Sequence, residues 1–282
     1  MILYKYLEAK YGLQAILDSQ LKVSLPTELN DPFEMLPRDC GNWTLSKVKR
    51  FLKDKQSQNR IYEILKSQRK AKNKKEFKNS LKDNNTLSNN LLIGFQSKDF
   101  WESIQDSKKD CDEYMRLLCF SSEYAKGLDE ILMWSHYSDK HKGMRLHYNS
   151  KSLSLPSFDL REIKYASERP PVDYTIDKGA IEFRNQLETA LFTKSECWTY
   201  EKEYRLFIDP NYCTKVIINH QNVFFAKLPS VSLVRVDLGL RCESRYFEDA
   251  KHILKDGRFG NISFYKATLN KNDFKIEYER IT

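Results

Sequence analysis

Six stretches with strand character crowd the last third of the chain, at residues 200–208, 214–218, 222–227, 231–238, 262–267 and 274–279. One helix-like stretch, about 244–255, interrupts them. A doubly wound parallel sheet needs a helix after each strand, so this run points instead to a mixed α+β fold around a mostly antiparallel central sheet. Residues 2–6, 21–25, 115–121, 142–148 and 160–165 also read as strands, with Met144, Leu146 and Tyr148 alternating onto one face. Helices are expected over 8–18, with Leu13, Ile16 and Leu17 as the apolar stripe, over about 129–138 and over about 175–193.

The segment 44–83 is of another kind. Leu45, Val48, Phe51 and Leu52 recur at helical spacing, as do Ile61, Ile64 and Leu65, then Phe77 and Leu81, and lysine dominates the polar faces. Asn84-Asn85-Thr86-Leu87-Ser88-Asn89-Asn90 reads as a polar break. The whole chain carries a net charge of +8, but Lys47 to Asp83 alone holds 14 basic and 4 acidic residues, leaving 33 and 35 elsewhere. The charge therefore belongs to one segment on a nearly neutral body. We expect a single domain over 1–282, with 42–110 as a helical, basic insertion or subdomain.

Several function classes have no support. No apolar run approaches the ~18 residues of a membrane span, and Met1 to Tyr6 lacks the apolar stretch of an export signal. No membrane association and a cytoplasmic location are expected, with Cys40, Cys111, Cys119, Cys197, Cys213 and Cys242 as reduced thiols. Neither these cysteines nor the five histidines show zinc-ligand spacing, so no metal is expected. Phosphate-loop, dinucleotide-fold and serine-hydrolase motifs are missing.

Three clusters could carry chemistry. In Trp198-Thr199-Tyr200-Glu201-Lys202-Glu203-Tyr204-Arg205-Leu206, strand alternation puts Glu201, Glu203 and Arg205 on one face. They read either as a rigidly held acid/base pair or as a solvated face with a weak ion pair. In Met133-Trp134-Ser135-His136-Tyr137, Trp134 and Tyr137 share a helix face and with His136 could sandwich a planar ring; the alternative is a packed aromatic pair beside a satisfied histidine. In Tyr4-Lys5-Tyr6, Lys5 could grip an anion or guard a sheet edge. Asn30-Asp31-Pro32 could bind a ligand or form a turn.

Together these segments resemble a widespread bacterial family, domain of unknown function 2971. The resemblance rests on Leu3-Tyr4-Lys5-Tyr6, Asn30-Asp31-Pro32-Phe33-Glu34, Trp134-Ser135-His136-Tyr137 with Lys142-Gly143, and Trp198 to Arg205. It spans residues 3 to about 240, with 42–110 as a variable interior. More distantly, the order of parts resembles the ADP-ribosyltransferase superfamily, which has a basic or histidine residue on a first strand, a middle aromatic and a later E-x-E. That resemblance implies an ADP-ribosyltransferase-like sheet and an NAD-consuming enzyme, of a kind that serves as a toxin or phage-defence effector. It would transfer ADP-ribose to a macromolecule or hydrolyse NAD. It implies Glu203 and Glu201 as catalytic residues. Lys5, Tyr6, Trp134, His136, Tyr137 and Arg205 would bind NAD, and Asn30 and Asp31 would form a turn or touch substrate. A protein partner from a defence system would fit such a role. The first-strand position holds Lys5, where that superfamily commonly has histidine or arginine.

Two other readings compete. The Lys47–Asp83 segment could make the chain a non-catalytic nucleic-acid-binding module, its amphipathic helices tracking phosphates. A nuclease is the third reading, although the strong motif is Glu201-Lys202-Glu203 rather than a D…E-x-K set.

Overall fold

The computed structural model describes residues 1–40, 43–67, 70–82, 84–95, 108, 109, 111–153, 158–174, 176, 179–255, 259 and 262–281. In chain order the elements begin β1 (Ile2–Leu7), α1 (Ala9–Asp18), β2 (Gln20–Val23), β3 (Arg38–Asp39), α2 (Leu45–Phe51), α3 (Lys55–Ser67), α4 (Lys74–Ser80) and α5 (Asn84–Phe95). Next come β4 (Arg116–Ser122), α6 (Leu128–Tyr137), β5 (Met144–Asn149), β6 (Phe158–Glu162), β7 (Lys164–Ala166), β8 (Pro171–Val172), α7 (Ile181–Leu191) and β9 (Thr193–Ser195). A 3₁₀ helix, Glu196–Glu201, leads into β10 (Glu203–Ile208). The chain continues through β11 (Cys213–Ile218), β12 (Gln221–Lys227), β13 (Leu233–Leu238), α8 (Ser244–Leu254), β14 (Ser263–Leu269) and β15 (Ile276–Arg280).

These elements form two compact units. The first comprises Met1–Glu34, Lys109–Ser167 and Lys194–Thr282; the second comprises Met35–Lys108 and Glu168–Thr193. The second thus takes in the basic segment as far as Lys108 and adds a later stretch to it.

The first unit is built on an eight-stranded sheet in the order β15-β14-β13-β5-β1-β4-β10-β6. Within this sheet, among the described residues, only β13 and β14 pair in parallel, so the fold is mixed α+β with a mostly antiparallel sheet, as the run of strands predicts. The two faces of this sheet differ in chemistry. Leu3, Leu118, Leu146, Leu206, Val236 and Phe264 are buried on one face in a cluster with Ala15 and Ile16 of α1 and Ala250 and Leu254 of α8. Each large apolar side chain withdrawn there contributes about 2 kcal/mol. Leu17, expected in the α1 stripe, is 42% exposed; small Ala9, Gly12 and Ala15 take the inner positions and let the helix approach closely.

The other face is buried and polar. Register carries it from strand to strand: Tyr4 sits opposite both Ser121 and His147, Ser121 opposite Glu203, and His147 opposite Arg235. One step along, Tyr6 faces Arg145, which faces Asp237. Met133 and Trp134 of α6 pack in a cluster with Tyr6, Ala267 and Ile276 on this side.

In the second unit, Trp43, Val48, Leu52, Ile61, Tyr62, Phe77, Leu87 and Leu91 form a separate core. Thr44 caps α2 by accepting from the Lys47 N–H, and Asn73 caps α4 by accepting from the Glu76 N–H. The polar break expected over Asn84–Asn90 is instead most of α5. Leu87 and Leu91, one turn apart, are buried in the core, and that packing overrides the low helix propensity of the asparagines. Lys53, Lys55, Lys66, Lys72, Lys74, Lys75, Lys78 and Lys82 are exposed.

Candidate active site

The site lies in the first unit, where the sheet forks. β1 pairs with β5 along six residues but with β4 only at Leu3–Ser122 and Tyr4–Ser121. Beyond Tyr4 the two strands share no further pairs, and a cleft of 230 Å³ opens, bordered by Tyr4, Lys5, Tyr6, Asn30, Glu34, Cys119, Tyr137, Lys194, Glu201 and Glu203 among others. The Lys5 ammonium donates to the Cys119 carbonyl (2.8 Å), joining β1 to β4 where ladder pairs are missing. Burial lowers its pKa below the ordinary lysine value.

Glu201 and Glu203 do not share one strand face as sequence alternation predicts. Glu201 ends the 3₁₀ helix, Lys202 turns left-handed at φ 44°, and β10 starts only at Glu203. The strand expected from residue 200 is therefore three residues shorter. Both carboxylates nevertheless reach one ammonium. Lys194 Nζ, from β9, lies 2.6 Å from Glu201 Oε2, 3.3 Å from Glu203 Oε2 and 3.7 Å from Glu34 Oε1. The Arg205 guanidinium donates to Glu203 through Nε (2.7 Å) and Nη2 (3.1 Å) and also ion-pairs with Glu34. Glu34, Lys194, Glu201, Glu203 and Arg205 are all at most 5% exposed, which removes the solvated-face alternative.

Three carboxylates thus compete for two cations in a buried layer. Burial pushes the Glu203 carboxyl up to about 7; Lys194 opposes this and Glu201 adds to it. Burial disfavours the Lys194 ammonium, but the charges of Glu203 and Glu201 outweigh it and hold its pKa above the ordinary value. Tyr137 Oη donates to Glu201 Oε1 and accepts from Asn30 Nδ2 at 2.9 Å. Burial and the adjacent Glu201 charge raise the pKa of this phenol, keeping it a donor. Ser121 Oγ donates to the Glu201 carbonyl (2.6 Å) and the Glu203 N–H donates to Tyr165 Oη (2.8 Å), so both glutamates are also held by their backbones.

The remaining sequence-nominated residues divide. Tyr6 lines the cleft and stacks edge-on against Trp134 at 5.3 Å. Trp134 is fully buried and donates to Tyr278 Oη, so it belongs to the packed layer and does not sandwich a ring with Tyr137. His136 Nδ1 meets Tyr200 Oη at 2.9 Å and its ring stands edge-on to that of Tyr137, so it does not itself line the cleft but packs behind a residue that does. Arg205 does not line the cleft and acts on it through Glu203. Asp31 is buried and caps its own turn, accepting from the Phe33 N–H.

Sequence reasoning missed Lys194 and Cys119 and quoted Glu34 without giving it a role. Lys194 stands in a three-residue strand with no periodicity to mark it. Its only signal is a lysine a few residues before an E-x-E. The described residues include no group of three or more His, Cys, Asp or Glu side chains placed to hold a metal, and no helix among them is long and apolar enough to cross a membrane.

No curated protein and no solved structure matches the chain. Residues 133–206, which include Tyr137, Lys194, Glu201, Glu203 and Arg205, match the model of a family described as protein of unknown function, DUF2971.

Proposed function

We propose that the cleft breaks an N-glycosidic bond, with NAD as the substrate, and passes the sugar to water or to an acceptor hydroxyl. The observation that carries this reading is the pair of buried glutamates on Lys194, of which Glu203 titrates near neutrality. Breaking the bond from ribose to nicotinamide leaves its electron pair on the pyridine nitrogen, so the leaving group needs no proton. Positive charge builds on the sugar, and a carboxylate beside it stabilises that charge. Glu201, held by Tyr137 and Lys194, takes this role. Glu203 accepts the proton from the attacking hydroxyl, a task suited to a group with a pKa near 7. Tyr4 and Tyr6 offer faces for the nicotinamide ring. Nicotinamide release from NAD by the purified chain, with water, protein and nucleic acid as acceptors, is the expected result. No release under any of these conditions would remove the reading.

The second unit supports a companion role. Lys53, Lys55, Lys66, Lys72, Lys74, Lys75, Lys78 and Lys82 are exposed around its packed apolar core, leaving a surface suited to a polyanion. Nucleic-acid binding should weaken steeply with salt and should be lost when lysines 72, 74, 75 and 78 are changed to glutamate. Salt-independent binding would count against this role.

A further inference from the structure

The polar face of the sheet holds a second cleft, of 410 Å³, bordered by Tyr4, Lys126, Glu130, Arg145, His147, Arg235 and Tyr278 among others. Only Tyr4 also lines the first cleft. The floor of the second is a satisfied ionic cluster. Asp237, fully buried, accepts from Arg145 Nε (2.9 Å) and Nη2 (2.6 Å), from His147 Nε2 (2.6 Å) and from Arg235 Nε (2.6 Å). Glu130 accepts from Arg145 Nη1 and Tyr278 Oη. The Arg145 guanidinium lies 4.6 Å from the Tyr4 ring centroid and 4.5 Å from that of Tyr278. Two carboxylates balance two guanidiniums, and this layer is fixed before any ligand arrives.

What remains open is a set of unused groups around the cleft. Lys126 is exposed and has no ion-pair partner among the described residues. The Arg235 guanidinium lies over the Tyr265 ring, 3.7 Å from its centroid, yet its terminal nitrogens donate to nothing in the described residues. The Tyr4 hydroxyl has no hydrogen-bond partner there either. A carboxylate such as Asp237 only accepts, so His147 Nε2 must carry the proton in their bond. Burial, together with Arg145 and Arg235, lowers the His147 pKa to about 4, against the pull of Asp237. The ring is therefore neutral near pH 7, and Nδ1 is an acceptor with no described partner.

We propose that this cleft binds a sugar phosphate, with Lys126, Arg235 and the Tyr4 hydroxyl on the phosphate and His147 Nδ1 accepting from a sugar hydroxyl. An ammonium, a guanidinium edge and a phenol come from three side chains, and each can meet its own terminal oxygen of a phosphate, where a carboxylate would have to share two. An acceptor beside these donors asks for a ligand that carries a hydroxyl beyond its anionic group, as a sugar phosphate does. The volume suits a small metabolite.

The test is calorimetric titration of the full chain with ribose 5-phosphate, inorganic phosphate and ribose. Ribose 5-phosphate should bind more tightly than either fragment. Lys126→Ala, at an exposed position, should weaken it about tenfold, as expected for one charge-assisted hydrogen bond. Glu203→Gln should leave it unchanged, which separates this site from the first cleft. A circular-dichroism spectrum and melting profile matching wild type show that each variant is folded. Absence of binding up to roughly 10 mM, equal binding of ribose and ribose 5-phosphate, or indifference to Lys126→Ala would overturn the proposal.

Discussion

Replacing Glu203 by glutamine is expected to lower NAD cleavage by roughly 10³-fold, the scale of losing a positioned general base. The amide keeps the volume of the acid and can still accept from Arg205, so the fold should survive. The pH dependence makes the test specific. With Glu203 as base, wild-type kcat/KM should rise with pH through about 7 and then level, while the variant's residual rate should lack that step. A wild-type profile without a step near 7, or a variant that keeps most of its rate, would reassign the role. Stability should move the other way. The folded carboxyl titrates near 7 and the ordinary one at 4.5, so the folded state holds an extra proton between these values. Its stabilising contribution is complete below 4.5 and is lost as pH rises through 7. Glutamine mimics the protonated acid, so that slope should flatten in the variant.

Removing Lys194 should have the largest effect on stability. Lys194→Ala leaves Glu34, Glu201 and Glu203 buried around Arg205 alone. Stranding buried charge in this way costs about 3–5 kcal/mol. Lys194→Met restores most of the volume but not the charge, so at pH 7 it should be nearly as unstable as alanine. Both should recover on acidification, when protonated carboxyls no longer need the ammonium. Urea unfolding at pH 5 and pH 7 measures this. If Lys194→Met proved as stable as wild type at pH 7, the ammonium would not be what holds the carboxylates in place.

The sheet was legible in the sequence because strand alternation and the near-absence of intervening helices are local signals. Residues 213–238 and 263–280 fold close to where the pattern puts them. The site was legible only in part. Glu201 and Glu203 stand out as charges next to an apolar strand, but their meeting point does not. It depends on a left-handed Lys202 and on Lys194, a side chain that looks like an ordinary surface lysine until β7 and β9 place it in the interior. The second cleft was hidden for a related reason. Reading Met144, Leu146 and Tyr148 as the inward face leaves Arg145 and His147 facing solvent. Both faces of β5 are in fact buried, and the polar one is supported by Asp237, far away in sequence. Asparagines misled at α5, where packing of two leucines decides the conformation.

The position of β1 has a kinetic consequence. It is an inner strand of the sheet and contributes walls to both clefts, yet its partners arrive late: Leu3 pairs with Ser122 on one side, and Ile2 with Asn149 on the other. During synthesis it emerges before both partners and waits until Ser122 and then Asn149 have followed, after helices α2 to α5 of the second unit. Contacts this distant in sequence close slowly, because loop entropy must be overcome before pairing can repay it. An unpaired apolar-edged strand exposed for that time is a site for association with other chains. Aggregation during expression should therefore trace to β1, and the two clefts should be among the last parts of the molecule to form.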